Sequence, residues 1–135
     1  VIAYFDTSAL LKIVLSEQGL EVATAAWQRA EFVVASAVIY PEARAATAAA
    51  VRHRRVKRAV AAAHLEFLVG EMDFVEPARD LLWHAGDLAE RHRLRGYDAV
   101  HLASALRVAP DVMVAADVRL LNAARAERLK VLLPD

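Results

Sequence analysis

Four carboxylates stand out by where they fall along the chain. Asp6 follows directly on an apolar run over residues 2–5, Asp117 comes just after another over residues 112–115, Glu42 follows Pro41, and Asp98 sits in the string Tyr97-Asp98-Ala99-Val100. Carboxylates brought within a few ångströms raise one another's pKa and repel unless a cation neutralises them. Hydrated Mg2+ or Mn2+ is the simplest remedy, because such hard ions take oxygen ligands and keep several waters. A water so held can attack a phosphodiester while the ion stabilises the leaving oxygen. Each acid also has a plainer reading. Asp98 and Glu42 near helix starts would complement a macrodipole, Asp6 before Thr7 and Ser8 would serve a turn or cap, and Asp117 would cap the helix that follows it.

The elements that must position these acids follow from hydrophobic spacing. Residues 2–5 read as a strand that stops at Asp6-Thr7-Ser8, after which Leu10, Leu11, Val14 and Leu15 recur at helical spacing. A second helix runs from Leu20 to Ala30. A strand over 32–35 follows, with Ser36 as a candidate N-cap. Pro41 belongs in a first turn, so the next helix spans about 40–53, with Glu42 at its entrance. Another helix is expected over 54–72, then a short strand at 74–75, a helix opened by Pro77 and running to His92, and a helix from Tyr97. A strand at 112–115, a helix at 118–127 and a strand at 130–133 end the chain. Strands alternating with helices imply an α/β fold with a parallel central sheet covered on both faces, linked by right-handed crossovers. Ligands of such sheets bind beyond the carboxyl ends of the strands, which is the rim where all four acids are expected.

The strings Tyr4-Phe5-Asp6-Thr7-Ser8-Ala9-Leu10, Tyr40-Pro41-Glu42-Ala43-Arg44-Ala45-Ala46, Tyr97-Asp98-Ala99-Val100-His101-Leu102-Ala103 and Ala116-Asp117-Val118-Arg119-Leu120 occur in that order. Together they resemble the PIN-domain ribonucleases, specifically the VapC-type toxins of toxin-antitoxin pairs, over the whole length of the chain. The resemblance implies a three-layer α/β/α fold, endonucleolytic cleavage of RNA dependent on Mg2+ or Mn2+, homodimerisation, and inhibition by a cognate antitoxin. Carried over position by position, it makes Asp6, Glu42, Asp98 and Asp117 the metal-binding acids. Ser8 or Thr7 then matches the hydroxyl that supports the first of them. Many family members place Thr or Ser two residues before the last acid, where this chain has Ala115, so one hydrogen bond that orients a ligand is expected to be missing.

Length and composition bound the remaining possibilities. One domain over residues 1–135 is the expectation for a chain of this size, and its 58% hydrophobic content excludes intrinsic disorder. Without cysteine there is neither a disulfide framework nor a thiolate nucleophile, and any metal must be held by oxygen or imidazole. Charged residues interrupt every long apolar run, so neither a membrane span nor a signal peptide is expected, and a cytoplasmic location is. Seventeen basic residues balance seventeen acidic ones. Even so, the run from Arg52 to Arg58 carries Arg52, Arg54, Arg55, Lys57 and Arg58 with no acid. On a helix it would form a broad basic face able to track RNA phosphates; the alternative is a solvated helix end or hairpin turn. Arg91, His92, Arg93 and Arg95 either extend that surface or favour the C-terminus of their helix.

Other side chains have simpler expected fates. His101, one turn after Asp98, is expected to be packed or hydrogen-bonded more readily than metal-ligating. Core or dimer contacts are expected for Trp27, Phe67 and Trp83, and core or interface placement for His64 and His84. The four glycines are isolated, so no phosphate-binding loop is present. Two competing functions remain in view. A phosphatase of the haloacid-dehalogenase type would want an acid where Ser8 stands, and a receiver domain would want acids within the apolar residues 2–5. A non-catalytic scaffold or binding domain of the same fold has Ala115 as its one sequence hint.

Overall fold

The computed structural model describes residues 1–135. Five short strands, β1 (Ile2–Phe5), β2 (Phe32–Ser36), β3 (Asp73–Val75), β4 (Val112–Val114) and β5 (Val131–Leu132), form one sheet in the order β3-β2-β1-β4-β5. Every neighbouring pair is parallel, with Tyr4 opposite Val34 on one side and Met113 on the other. The chain therefore winds outward from β1 through β2 to β3, then returns to β4 on the opposite flank of β1. That reversal puts the topological switch point between β1 and β4, where the carboxyl ends open a crevice for ligands.

Seven helices fill the crossovers: α1 (Thr7–Val14), α2 (Leu20–Arg29), α3 (Ile39–Arg52), α4 (Arg58–Gly70), α5 (Arg79–His92), α6 (Gly96–Val108) and α7 (Val118–Ala126). The strand period of two divides the core between the sheet's faces. Ala3 and Phe5 of β1 pack with Leu10 and Ile13 of α1, Ala23 of α2, Ile39 of α3 and Leu65 of α4. Tyr4 points the other way, into a cluster with Leu81 and Leu88 of α5, Leu102 of α6 and Leu120 of α7. The result is the expected three-layer α/β/α arrangement. Fully burying a side chain such as Phe5 or Leu10 contributes about 1.5–3 kcal/mol. Helix α6 is buried continuously from Ala99 to Ala105, and its alanines allow the close approach of α5 and the sheet.

Several boundaries differ from expectation for local reasons. The helix expected over 54–72 begins only at Arg58. His53 to Lys57 form a turn in which Arg54 is left-handed (φ 57°), so the basic run spans a helix end, a turn and a helix start and makes no continuous helical face. Ser36 ends β2, and its hydroxyl accepts the Val38 N–H at 3.3 Å one residue ahead of α3. Phe67 and Trp83 are each 66% exposed, because Leu65 with Leu68, and Leu81 with Ala85 and Leu88, already form the buried faces of their helices. Trp27 does meet the core, edge-on to Phe5 at 5.3 Å. His64 is half-buried and His84 exposed. Gly19 has φ +100°, and a Cβ there would lie 2.2 Å from the Pro134 carbonyl oxygen, so the chain's last residues close over the α1–α2 loop only because that side chain is absent. No helix is long and apolar enough to cross a membrane.

Candidate active site

Asp6 is the first residue past β1, and the sheet holds it from both sides. Its N–H continues the ladder to the Val114 carbonyl at 3.1 Å. Its carboxylate caps α1 by accepting the Ala9 N–H at 2.9 Å, and it accepts the Ser8 hydroxyl, which lies 2.7 and 2.8 Å from its two oxygens. The Ser8 oxygen in turn accepts the Ala116 N–H at 2.8 Å. A single hydroxyl thereby ties the β1–α1 junction to the loop after β4. Ala115 itself is fully buried in the core, so Ser8 supplies a hydroxyl anchor to this loop although position 115 has none. Ser8→Ala is expected to cost about 1–3 kcal/mol, because a buried carboxylate and a backbone N–H lose a partner together. Urea denaturation reads this, and a midpoint equal to wild type would show that the bridge contributes nothing.

Thr7 turns to a different acid. Its hydroxyl donates to Glu42 Oε1 at 2.6 Å, and the same oxygen lies 2.8 Å from His101 Nε2. Glu42 is placed by the first turn of α3, and His101 by the buried run of α6. Behind them His101 Nδ1 lies 2.8 Å from the Tyr4 hydroxyl, whose oxygen accepts the Ser36 N–H at 3.0 Å. His101 thereby links the Tyr4 hydroxyl through Nδ1 to the Glu42 carboxylate through Nε2. Four elements of the fold, β2, β1, α6 and α3, are thus joined through one chain of hydrogen bonds. His101 is packed and hydrogen-bonded, as expected, at 1% exposure.

Asp98 and Asp117 lie at the starts of α6 and α7. Asp117 caps α7 by accepting the Leu120 N–H at 3.0 Å. Between the two acids stands Arg95, whose Nε donates to Asp98 at 3.2 Å and whose Nη2 lies 3.6 Å from Asp117. Sequence reasoning placed Arg95 with a basic surface or a helix end, and the structure places it among the acids. The i,i+3 spacing of Arg95 and Asp98 was the available signal. Arg91 and His92 instead bond Glu127, at 3.0 and 2.6 Å. The part of the chain that sequence reasoning missed altogether is Tyr4, whose strand position offered no hint of a polar role.

Burial sets the electrostatics of this edge. It pushes Asp6 up to about 6, against the lowering effect of the His101 charge, Ser8 and the Ala9 N–H, and the Asp98 charge pushes the same way as burial. Burial also acts upward on Glu42, but hydrogen bonds from His101 and Thr7, with the charges of His101 and Arg95, more than offset it and hold Glu42 below the usual range. The four acids share one edge without closing into a cage: no three His, Asp or Glu side chains stand ready around one point. Their chemistry nonetheless suits a hard divalent ion. The donors are carboxylate oxygens, and Asp6 is a buried carboxylate that no Lys or Arg pairs. A cavity of about 720 Å³, walled by Leu82, Ala85 and Tyr97, opens beside Glu42 and Asp98.

Comparisons with known proteins bear on the family and the fold. A family model described as PIN domain matches residues 3–126. The chain is 41% identical to Ribonuclease VapC45 of Mycobacterium tuberculosis over 141 aligned positions, covering 96% of this chain and 94% of that protein. The fold superposes on the crystal structure of PAE2754 from Pyrobaculum aerophilum with a TM-score of 0.72 at 21% identity, covering 97% of this chain and 83% of that one. It superposes equally, at 10% identity and with full coverage of both chains, on VapBC2 from Rickettsia felis bound to a DNA fragment from their promoter. On these matches and the acidic edge at its switch point, the chain belongs to the PIN-domain family, among the VapC-type ribonucleases.

Proposed function

We propose that this protein is an endoribonuclease, the toxin of a toxin-antitoxin pair, and that Asp6, Glu42, Asp98 and Asp117 hold the Mg2+ or Mn2+ on which it depends. The observation that carries this reading is the gathering of all four acids at the carboxyl edge around β1 and β4 in a chain of this family. A divalent ion bound there supplies charge stabilisation for hydrolysis of an RNA phosphodiester. The chain's own residues prepare the edge. Ser8 and the Ala9 N–H fix the Asp6 carboxylate, Thr7 and His101 fix that of Glu42, and the Leu120 N–H fixes that of Asp117. Preset orientation of this kind is what lets weakly binding oxygen ligands act together.

RNA reaches the edge along α3 in this reading. Arg52 ends that helix, about 15 Å along its axis from Glu42. Arg54, Arg55 and Arg58 follow in the exposed turn and at the start of α4, where they are proposed to contact backbone phosphates two or three nucleotides from the cut. Arg55 is already paired with Glu17 at 3.4 Å, an exposed contact that phosphate can replace. An antitoxin partner, a homodimer, a single-domain chain and a cytoplasmic location belong to the same proposal. It is supported by the family and by the resemblance of the fold to toxin-antitoxin proteins. The non-catalytic alternative rested on Ala115 and is not favoured, since the acidic set is complete and Ser8 anchors the loop that Ala115 leaves without a hydroxyl.

The test is cleavage of total cellular RNA by the purified, antitoxin-free protein with Mg2+ or Mn2+, with EDTA and Asp98→Asn as controls. Cleavage that needs the metal and is lost in the variant is the expected result. Cleavage that persists in EDTA, or in the Asp98→Asn protein, would overturn the assignment of these acids.

A further inference from the structure

Arg95 differs from the other cations of the chain in where its charge is spent. It precedes α6 in extended backbone (φ −66°, ψ 155°) and does not cap that helix through its side chain. Its guanidinium reaches acids on two elements instead, Asp98 of α6 at 3.2 Å and Asp117 at the start of α7 at 3.6 Å. Its charge also lowers Glu42 on α3. One arginine therefore acts on three of the four carboxylates proposed to hold a metal ion. Yet its side chain is 79% exposed, and it borders two concavities: the cavity beside Glu42 and Asp98, and a smaller one formed with Asp117 and Arg119. Two ion pairs hold it in place, and exposed ion pairs are weak and easily exchanged.

We propose that Arg95 is a tethered counter-cation: it neutralises Asp98 and Asp117 while no metal is bound, is displaced when a divalent ion takes their oxygens, and then pairs with a phosphate of the RNA lying across the edge. This rests on the metal-site reading above. The reasoning is electrostatic. Like charges at one edge need a partner, and Arg95 is the only Lys or Arg bonded to these acids, so it must yield those oxygens to any ion that binds them. Released, the guanidinium stays anchored at the start of α6 within reach of the edge, and its planar fork suits phosphate oxygens as well as carboxylates. The same residue would thus oppose metal binding and favour substrate binding, an opposition that no purely structural role produces.

The test separates those two effects by titrating Mn2+ alone into metal-free wild type, Arg95→Gln and Arg95→Lys by calorimetry. Arg95→Gln is expected to bind Mn2+ roughly two- to tenfold more tightly, as two exposed ion pairs no longer compete. Arg95→Lys, which keeps the charge, should stay nearer wild type. A single-stranded RNA oligonucleotide is then titrated with Ca2+ in place of Mn2+ to suppress cleavage. Arg95→Gln should bind it more weakly, with a dependence of log affinity on log salt shallower by about 1. Unchanged Mn2+ affinity in Arg95→Gln, against a wild type that binds, would overturn the proposal alone. Tighter Mn2+ binding with wild-type RNA affinity and salt dependence would overturn the transfer to phosphate. Absence of Mn2+ binding in wild type and variants alike would refute the metal-site reading itself, and this proposal with it.

Discussion

Asp6→Asn is expected to abolish RNA cleavage and, in metal-free protein near pH 7.5, to raise the melting temperature by several degrees. Burial pushes the Asp6 carboxyl from its ordinary 3.8 up to about 6. An acid whose pKa is raised by folding holds its proton more tightly in the folded state. Stability therefore falls as pH rises through the window from about 4 to 6, where the folded chain binds more protons than the unfolded one. Above that window the ionised, buried carboxylate costs about 2–3 kcal/mol relative to a group with no shift. Asparagine has no charge to bury and is as good an N-cap, so the Ala9 N–H keeps its partner. The gain should shrink towards zero near pH 3, below both values, where aspartate is protonated in both states. Cleavage, by contrast, should fall by more than the roughly 100-fold that loss of an orienting neighbour alone can cost. Thermal melts in EDTA at the two pH values decide the matter. Equal melting temperatures at pH 7.5 would mean that Asp6 is not strained by burial.

His101→Leu is expected to be the most damaging single change that leaves every acid in place. The side chain is buried and joins Tyr4 on β1 to Glu42 on α3. Leucine fills a similar volume but hydrogen-bonds neither the Tyr4 hydroxyl nor the Glu42 carboxylate. The buried Tyr4 hydroxyl and the half-buried Glu42 carboxylate each lose a partner, so a loss of about 2–5 kcal/mol is expected in urea denaturation. Glu42 then keeps only Thr7 as a donor, and cleavage should fall by about 10- to 100-fold, as for other lost orienting partners. Tyr4→Phe isolates the far half of the chain. It strips the Ser36 N–H and His101 Nδ1 of a partner at a cost of about 1–3 kcal/mol, while the His101–Glu42 contact survives. Activity in Tyr4→Phe should therefore stay above that of His101→Leu. If both variants lost stability equally and activity equally, His101 would be part of the packing and not a positioning residue for Glu42.

These two side chains mark the division between what residue types reveal and what folding adds. The acids were readable because each follows a boundary that composition announces. An apolar run stops at Asp6, another stops shortly before Asp117, and Pro41 places Glu42 in a first turn. Parallel order was readable too, since helices between strands leave few other solutions. Helix ends were less so. Helices α5 and α6 stop on left-handed Arg93 and Ala109, residues that do not announce such a conformation as glycine would. The basic run looked helical because nothing in its composition marks the turn that splits it.

The partnerships within the site belong to the other category. Thr7 and Ser8 are adjacent and chemically alike, yet one supports Glu42 and the other Asp6, because successive residues at the start of α1 point in different directions. Tyr4 meets His101 across 97 positions of sequence, and Arg95 meets Asp117 because α6 and α7 begin at the same edge of the sheet. Spacing along a chain specifies which face of its own element a side chain occupies. Which donor faces which acceptor across elements depends on register, crossover and packing, and these exist only once the sheet has closed and both of its faces are covered.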